Sequence, residues 1–407
     1  MTRSRLSELP FGPALAVLTI VITTGLRMRH ASVPLSRDTY NSFDFRLSIW
    51  DAGQGLLHGY SVYDPADSEY YRAYGLAAPA ALYAPGVLLL LAPIIALPLR
   101  LAMVMNACLS SLLLWTSLWI LARPRSRTAW FGFAFAGLAL FATQSVDSVF
   151  GLGQATGLLI LGACLVVRPP EHWPALGQAL GVALLCIKPQ TAGPILLVLL
   201  LLAQWKLVIR GLALATVASL PVVAVALDRA GGLGELVAAV RRNVDVISHL
   251  PSNSGTTSLR VDLLGRFEGE GHPLSWPWGP IVLVILTGFA FIAARRNVEL
   301  RPTVVACWTT LVVYHQFYDV ALIVTLALGA ALVSRNLSVL VAALGIVLGQ
   351  IAARSGITFR LGHFVDVSPP SRSLLNTVLL LLILVGTFGV ALTNKPAGAA
   401  SRSPSTS

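Results

Sequence analysis

One aspartate near the start of the chain, Asp44, has the surroundings of a general base. It lies between Phe43 and Phe45, in a polar segment (residues 28–82) that follows the first apolar stretch. Aromatic neighbours near a membrane surface remove water from a carboxylate, which raises its pKa and its basicity. Such a carboxylate suits the removal of a proton from a hydroxyl group. A helix N-cap or a solvated loop acid is the other interpretation of Asp44, and several other acids share its segment.

Two more polar side chains stand where apolar stretches break. Gln154 begins a new apolar stretch after Gly151 and Gly153, whose backbones can approach a partner closely. Its amide can hydrogen-bond a sugar or a neighbouring helix. Lys188 precedes Pro189, which interrupts a helix, and a lysine within a membrane needs an anion. A lipid-borne phosphate or a carboxylate of the protein can supply that anion, and snorkelling of Lys188 to the membrane surface is a further alternative.

Polar residues also gather in two later segments. Residues 229–277 contain Asn253 and Arg260 among small hydrogen-bonding side chains, where a guanidinium suits a phosphate group. Residues 314–319 include His315 and interrupt an otherwise apolar hairpin, as a patch facing a cavity or a partner would. The sequence has no P-loop, no dinucleotide-binding glycine motif, no HExxH and no nucleophile elbow. ATP-driven transport and soluble-nucleotide chemistry therefore have no support.

The elements that must position these residues are membrane helices. Of the 407 residues, 56% are hydrophobic and 12% are charged, and the mean hydropathy is +0.75. Soluble domains carry about 25% charged residues. The net charge of +11 does not indicate nucleic-acid binding, because the basic residues form short clusters between apolar stretches. That arrangement is the positive-inside pattern, which sets membrane orientation.

Charge clusters and stretch lengths predict an all-α polytopic membrane protein with about twelve crossings and both termini in the cytoplasm. Residues 28–82 and 229–277 are then external loops. Residues 86–98 form a proline-broken, re-entrant helix, and Lys188 marks a break between two helices. The predicted crossings are residues 13–26, 101–122, 129–145, 152–168, 174–188, 190–203, 207–227, 278–294, 301–313, 320–333, 338–352 and 373–393.

This orientation separates two chemically different faces. Residues 1–395 form one transmembrane domain, and the Ala/Ser/Pro-rich residues 396–407 form a disordered cytoplasmic tail. All the aspartates fall on or next to the external face, whereas the other face is a plain basic surface. These aspartates are Asp38, Asp44, Asp51, Asp64, Asp67, Asp147, Asp228, Asp245, Asp262, Asp319 and Asp366.

The order of these segments resembles glycosyltransferase family 87, a family of the GT-C class found largely in actinobacteria. The resemblance covers nearly the whole chain. It departs from the family in one minor respect, since members commonly have a Tyr-Pro-Pro-like sequence where this chain has Tyr83-Ala84-Pro85. The segments that carry it are Asp44-Phe45-Arg46, residues 59–64, Tyr83-Ala84-Pro85, Gly153-Gln154, Lys188-Pro189, residues 253–260 and residues 315–319.

The resemblance implies a GT-C fold and a plasma-membrane enzyme whose active site faces the periplasm. Such enzymes move a sugar from a polyprenyl phosphate to a lipid-linked glycan or glycolipid by an inverting displacement. A carboxylate in the first external loop acts as the base in the family, and here Asp44 occupies that place. No cofactor is implied, and no metal is required because the donor is already activated. Mannose is the expected sugar, with arabinofuranose as the alternative.

A leaving phosphate needs cationic stabilisation, for which Lys188, Arg260 and Arg46 are the candidates. A lipid or glycan flippase, a secondary transporter and a non-catalytic scaffold of the cell envelope are the rival interpretations. Transporters place ionisable residues near the bilayer midplane and often have inverted repeats, whereas an enzyme requires its site residues to converge on one cavity. The expected substrate-binding residues are Arg46, Tyr83, Gln154, Lys188, Asn253, Arg260 and His315.

Overall fold

The computed structural model describes residues 11–32, 43–63, 73, 83–248, 278–296, 301–312, 317–334, 336–354 and 382. These residues are mostly helical and contain no strand, as the prediction of an all-α protein requires. Five of the listed aspartates, the predicted last crossing (373–393) and the predicted tail (396–407) fall outside them. The five aspartates are Asp38, Asp64, Asp67, Asp262 and Asp366.

Long apolar helices alternate with short ones along the described chain. A π-helical turn, Arg46–Asp51, joins α2 to α3, and a 3-10 turn, Phe317–Asp319, precedes α16. In chain order the helices are α1 (Phe11–Ser32), α2 (Phe43–Phe45), α3 (Ala52–Leu57), α4 (Gly86–Leu90), α5 (Ala92–Ile95), α6 (Leu99–Ala122), α7 (Arg127–Ala142), α8 (Gln144–Leu152), α9 (Thr156–Val167), α10 (Pro174–Leu185), α11 (Pro189–Leu201), α12 (Trp205–Ala230), α13 (Leu233–Ser248), α14 (Trp278–Arg296), α15 (Arg301–Val312), α16 (Val320–Val333) and α17 (Leu337–Arg354).

Three described helices, α1, α6 and α12, are long and apolar enough to cross a membrane. Helices α7 and α8 add a fourth candidate if they are counted as one span, which bends by 64° at their junction. Several further apolar helices are shorter, at 10–17 residues. The chain is therefore a helical membrane protein, and its twelve crossings stay a prediction.

Two predicted irregularities are present. Residues 86–98 contain two short helices, α4 and α5, in place of one crossing, with Pro93 in the first turn of the second. Helix α10 ends at Leu185 and α11 begins at Pro189, so a break does fall at Lys188. Proline suits the first turn of a helix because its missing N–H would have no helical partner there.

Three local predictions were too simple. Helix α1 continues to Ser32, so residues 28–32 are helical and do not belong to a loop. The junction at residues 144–152 is itself the helix α8. The predicted external loop at 229–277 contains α13, whose apolar and polar side chains lie on different faces. A search for uniformly apolar stretches misses an amphipathic helix of this kind.

The helices pack around α6 and α16. Helix α6 contacts α1, α9 and α16 along its length. The first eleven residues of α16, from Val320 to Ala330, are all buried, which marks it as a core helix. Polar contacts also cross the core, since Trp115 Nε1 donates to Thr23 Oγ1 (3.0 Å) and α1 is thereby tied to α6.

The two ends of the bundle differ in charge. At one end, called the basic end here, Arg123 Nη1 lies 2.5 Å from Glu171 Oε1 between two interhelical loops. At the other end, called the acidic end, Arg27 Nη1 near the close of α1 lies 2.5 Å from Asp147 Oδ1 in α8. Asp44 and Asp319 also lie at the acidic end, beside α8. The assignment of these two ends to the two sides of the membrane stays a prediction.

Helices α9 and α10 approach each other closely at a pair of glycines. A Cβ atom added to Gly181 would lie 2.6 Å from the carbonyl oxygen of Gly162, and one added to Gly162 would lie 2.7 Å from the carbonyl oxygen of Gly181. These atoms are backbone on both sides, so neither can move aside without shifting a helix. This contact fixes the spacing of α9 and α10. Gln154 lies shortly before the first residue of α9, and Lys188 lies shortly after the last residue of α10.

Replacing Gly181 with alanine is expected to destabilise the protein by about 1–3 kcal/mol through overpacking. The measurement is thermal unfolding of the purified protein in detergent. Gly193→Ala is the matched control, because Gly193 is also helical and has no atom within 4 Å of an added Cβ. Equal unfolding temperatures for the two variants would contradict the close packing of α9 and α10.

Candidate active site

Asp44 is held by a segment that is anchored to the helices beside it. Helices α2 and α3 run on either side of the π-helical turn, and two side chains connect this segment to the broken helix region. Trp50 Nε1 donates to the carbonyl oxygen of Leu97 (2.9 Å), and Gln54 Nε2 donates to that of Ile95 (2.6 Å). π-helical turns often occur at functional sites. The anchoring gives the Asp44 carboxylate a defined position.

Gln154 owes its position to a helix-ending motif. Gly153 follows α8 with φ of +70°, the left-handed conformation that favours glycine. The N–H of Gln154 then donates to the carbonyl oxygen of Val149 (3.0 Å), which is the Schellman pattern. Asn106 Nδ2 in α6 donates to the Gly153 carbonyl oxygen (3.3 Å). The turn thus places the Gln154 side chain between α8 and α9.

A chain of hydrogen bonds links Asp44 to two buried residues. Gln154 Nε2 donates to Asp44 Oδ2, and Tyr83 Oη donates to Gln154 Oε1. The N–H of Ala155 donates to Tyr83 Oη (3.3 Å). Because the tyrosine hydroxyl already accepts from Ala155, its own hydrogen is directed at the glutamine oxygen, which turns the amide N–H groups towards Asp44. The described residues supply no partner for Asp44 Oδ1.

A buried ion pair lies next to this chain. Lys188 Nζ is 2.5 Å from Asp319 Oδ1 and 2.7 Å from Asp319 Oδ2, and it stands 4.7 Å from the centre of the Tyr318 ring. Lys188 and Asp319 are only 5% and 3% exposed. The N–H of Ala84 donates to the carbonyl oxygen of Ile187 (2.9 Å), which joins the Tyr83 segment to the helix break.

The electrostatics of these residues are coupled. Burial raises the pKa of Asp44 to about 6, against the lowering effects of the Lys188 charge and of the Gln154 hydrogen bond. Burial and, to a lesser degree, the negative charges of Asp44 and Asp319 raise the pKa of Tyr83 well above its usual range. Tyr83 therefore remains a neutral donor. We call these five residues the Asp44 cluster: Asp44, Tyr83, Gln154, Lys188 and Asp319.

The sequence profile of glycosyltransferase family 87 matches residues 81–315, which is more than half of the chain. The chain belongs to glycosyltransferase family 87. Searches of curated proteins and of solved structures gave no significant match. Family membership makes the protein a glycosyltransferase. Of the Asp44 cluster, Tyr83, Gln154 and Lys188 lie inside the matched range, whereas Asp44 precedes it and Asp319 follows it.

The structure of this glycosyltransferase brings together four of the residues singled out from the sequence: Asp44, Tyr83, Gln154 and Lys188. For Lys188 it supplies a carboxylate partner, which was one of the open alternatives, and a role with phosphate stays a prediction. Asn253, Arg260 and His315 lie outside the described residues. No group of three metal-ligating side chains occurs among the residues that the structure describes.

Arg46 does not join the cluster. Its Nε lies 3.6 Å from Asp51 Oδ2, across the π-helical turn, and Asp51 has no exposed surface. The Arg46 side chain is 38% exposed, so the contact with Asp51 does not enclose its guanidinium. Its predicted contact with the donor phosphate stays a prediction.

Sequence reasoning missed Asp319 as a site residue. Two signals were present in the sequence. Asp319 ends the polar patch at residues 314–319, and it immediately precedes the uniformly apolar α16. A lysine within a membrane requires a counter-charge, so an acid at the start of a core helix is a candidate partner for Lys188.

Proposed function

We propose that this glycosyltransferase moves mannose from a polyprenyl phosphate to a hydroxyl group of a lipid-linked glycan or glycolipid, with its active site at the acidic end. We assign that end to the periplasm because basic clusters occupy the other end. The observation that carries the proposal is the Asp44 carboxylate, which is held through Oδ2 while no residue that the structure describes bonds to Oδ1. Residues that converge in this way favour an enzyme over a scaffold.

In the proposed reaction, Asp44 Oδ1 accepts a hydrogen bond from the acceptor hydroxyl. As the acceptor oxygen forms its bond to the anomeric carbon, the hydroxyl proton passes to Asp44 and the bond from that carbon to the phosphate oxygen breaks. One displacement inverts the configuration at the anomeric carbon. Gln154 and Tyr83 position the base without exchanging a proton.

The departing phosphate carries the electron pair and needs a cation. Lys188 is the described residue that best fits this role, because an ammonium has three N–H donors and Asp319 takes two of them. Its charge also lowers the pKa of Asp44, so the lysine keeps the base ionised near neutral pH. Asp319 holds the ammonium in place.

The transfer rate is expected to rise with pH and to reach half its maximum near pH 6. Asp44 must be ionised to act as the base, and its pKa in the folded protein is raised to about 6. Below that pH the rate should fall about tenfold per unit, since the ionised fraction falls by that factor. In wild type the hydrogen bond from Gln154 favours the ionised form of Asp44. Gln154→Leu removes this hydrogen bond, so the midpoint of its pH profile should move upward.

The measurement is kcat/KM between pH 4.5 and 8 in detergent micelles, with unfolding followed at each pH. A rate that stays constant from pH 5 to 7 would exclude a base with the pKa of Asp44. An unshifted midpoint in Gln154→Leu would show that the glutamine amide does not act on the base.

The donor is tested with proteoliposomes that contain the purified protein and one labelled donor at a time. We expect transfer from polyprenyl-phosphate-mannose, with inverted configuration at the anomeric carbon of the product by NMR. Transfer from polyprenyl-phosphate-arabinose alone would select the arabinofuranosyl alternative. Movement of a labelled lipid across the bilayer with no new glycosidic bond would overturn the proposal in favour of a flippase.

A further inference from the structure

An open-sided cavity of about 290 Å³ lies between α9, α10, α11, α15 and α16. It extends from Gln204 and Arg301 at the basic end to Leu185 and Leu322, each of which is three residues along the chain from a member of the Asp44 cluster. On α9, which starts beside Gln154, the lining residues Ala163 and Val166 come late in the helix. On α11, which starts beside Lys188, the lining reaches Leu199 near the helix end. None of the five residues of the Asp44 cluster lines the cavity.

The walls and the mouth of this cavity differ chemically. Aliphatic side chains such as Val166, Val198 and Leu326 line the walls. The polar lining residues are Gln178 within α10, Gln204 just before α12 and Arg301 at the start of α15. An apolar cavity gives water few hydrogen-bond partners, so hydrocarbon fills it more favourably than water does.

Arg301 supplies a positive charge at the mouth of the cavity. Its Nε donates to the carbonyl oxygen of Ala294 in α14 (2.7 Å), which fixes the guanidinium, and its Nη atoms carry further donors. The N-terminus of α15 adds positive partial charge at the same place. Among the described residues that line the cavity, Arg301 is the one that carries a charge, so the mouth is complementary to an anion.

We propose that this cavity binds one acyl chain of an anionic phospholipid, with the lipid phosphate at Arg301 and Gln204. The walls match hydrocarbon, and the cationic mouth lies at the bundle end where phospholipid headgroups gather. A free phosphate ion would leave the apolar walls uncovered. The proposed phospholipid is neither the sugar donor nor the acceptor of the proposed reaction. Lipid binding at this cavity can therefore be tested independently of the proposed function.

The test is native mass spectrometry of the purified protein after detergent exchange, with phosphatidylglycerol or phosphatidylcholine added. Wild type is expected to retain phosphatidylglycerol at least tenfold better than phosphatidylcholine, and millimolar inorganic phosphate should not compete. Arg301→Gln should lower phosphatidylglycerol retention about tenfold. Arg210→Gln is the matched control, because Arg210 is exposed on α12 and does not line the cavity.

A second variant, Ala306→Phe, fills the cavity and keeps Arg301. It should lose the bound lipid while eluting as a single species in size-exclusion chromatography. If Arg301→Gln and Arg210→Gln lowered phosphatidylglycerol retention equally, the proposal would be overturned, because the lipid would then be attracted to the basic surface in general. A cavity that selectively retains phosphatidylcholine or a polyprenyl phosphate would also overturn it. Retention of phosphatidylglycerol by a folded Ala306→Phe variant would place the lipid elsewhere.

Discussion

Replacing Asp44 with asparagine is expected to lower kcat for sugar transfer by at least a hundredfold. Asparagine has the shape of aspartate, and its oxygen can still accept the hydrogen bond from Gln154 Nε2. The position of Oδ1 then holds an amide nitrogen, which cannot accept a proton. General-base catalysis contributes about 10²–10⁴-fold to rate, so the loss should fall in that range.

The asparagine variant should remain folded, because its substitution removes a charge that burial disfavours. The pKa of Asp44 is raised in the folded protein, so ionisation of this carboxylate above pH 6 opposes folding. Asp228→Asn is the control, since Asp228 is an exposed aspartate in the last turn of α12. Near-wild-type transfer by Asp44→Asn, from any polyprenyl-phosphate donor that wild type uses, would remove Asp44 from the mechanism.

The positions of the long apolar helices could be predicted from the sequence because each depends on a local run of apolar residues. The break at Lys188 was predictable for the same reason, since a charge followed by a proline interrupts such a run. Helix α13 was not predictable in this way. Its exposed apolar side chains, including Leu233 and Val237, are interspersed with charges such as Arg241, so its average hydropathy resembles that of a loop.

Individual site residues could be recognised in the sequence, but the contacts between them could not be predicted. Gln154 and Lys188 stand out because polar side chains are costly within a membrane. Their partners lie far along the chain, 110 residues away for Asp44 and 131 for Asp319. Contacts at such separations depend on how the helices pack, and that is set by features such as the Gly162–Gly181 approach.

Arg46 shows the opposite case, in which a contact close along the chain was not predicted. A π-helical turn brings residues five apart onto one face, and Asp51 is five residues after Arg46. An ordinary α-helix would have aligned Arg46 with residues three and four positions away. No sequence pattern marked the wider turn, so the contact between Arg46 and Asp51 could not be predicted.

Removing the ion pair between Lys188 and Asp319 in two steps is expected to distinguish its effect on stability from its effect on catalysis. Lys188→Met leaves the Asp319 carboxylate buried without its main partner, which costs about 3–5 kcal/mol of stability. Adding Asp319→Asn removes the remaining charge, so the double variant should recover most of the unfolding temperature that the single variant lost. Tryptophan fluorescence during heating measures both changes.

Transfer activity should not recover with stability. If Lys188 stabilises the leaving phosphate, the double variant lacks the cation and should stay at least a hundredfold slower than wild type. Lys188 also lowers the pKa of Asp44, so the pH midpoint of the residual activity should lie above 6. A double variant that regains both stability and wild-type transfer would assign the pair a structural role alone. In that case the cation for the phosphate must come from elsewhere, and Arg46 and Arg260 are the remaining predicted candidates.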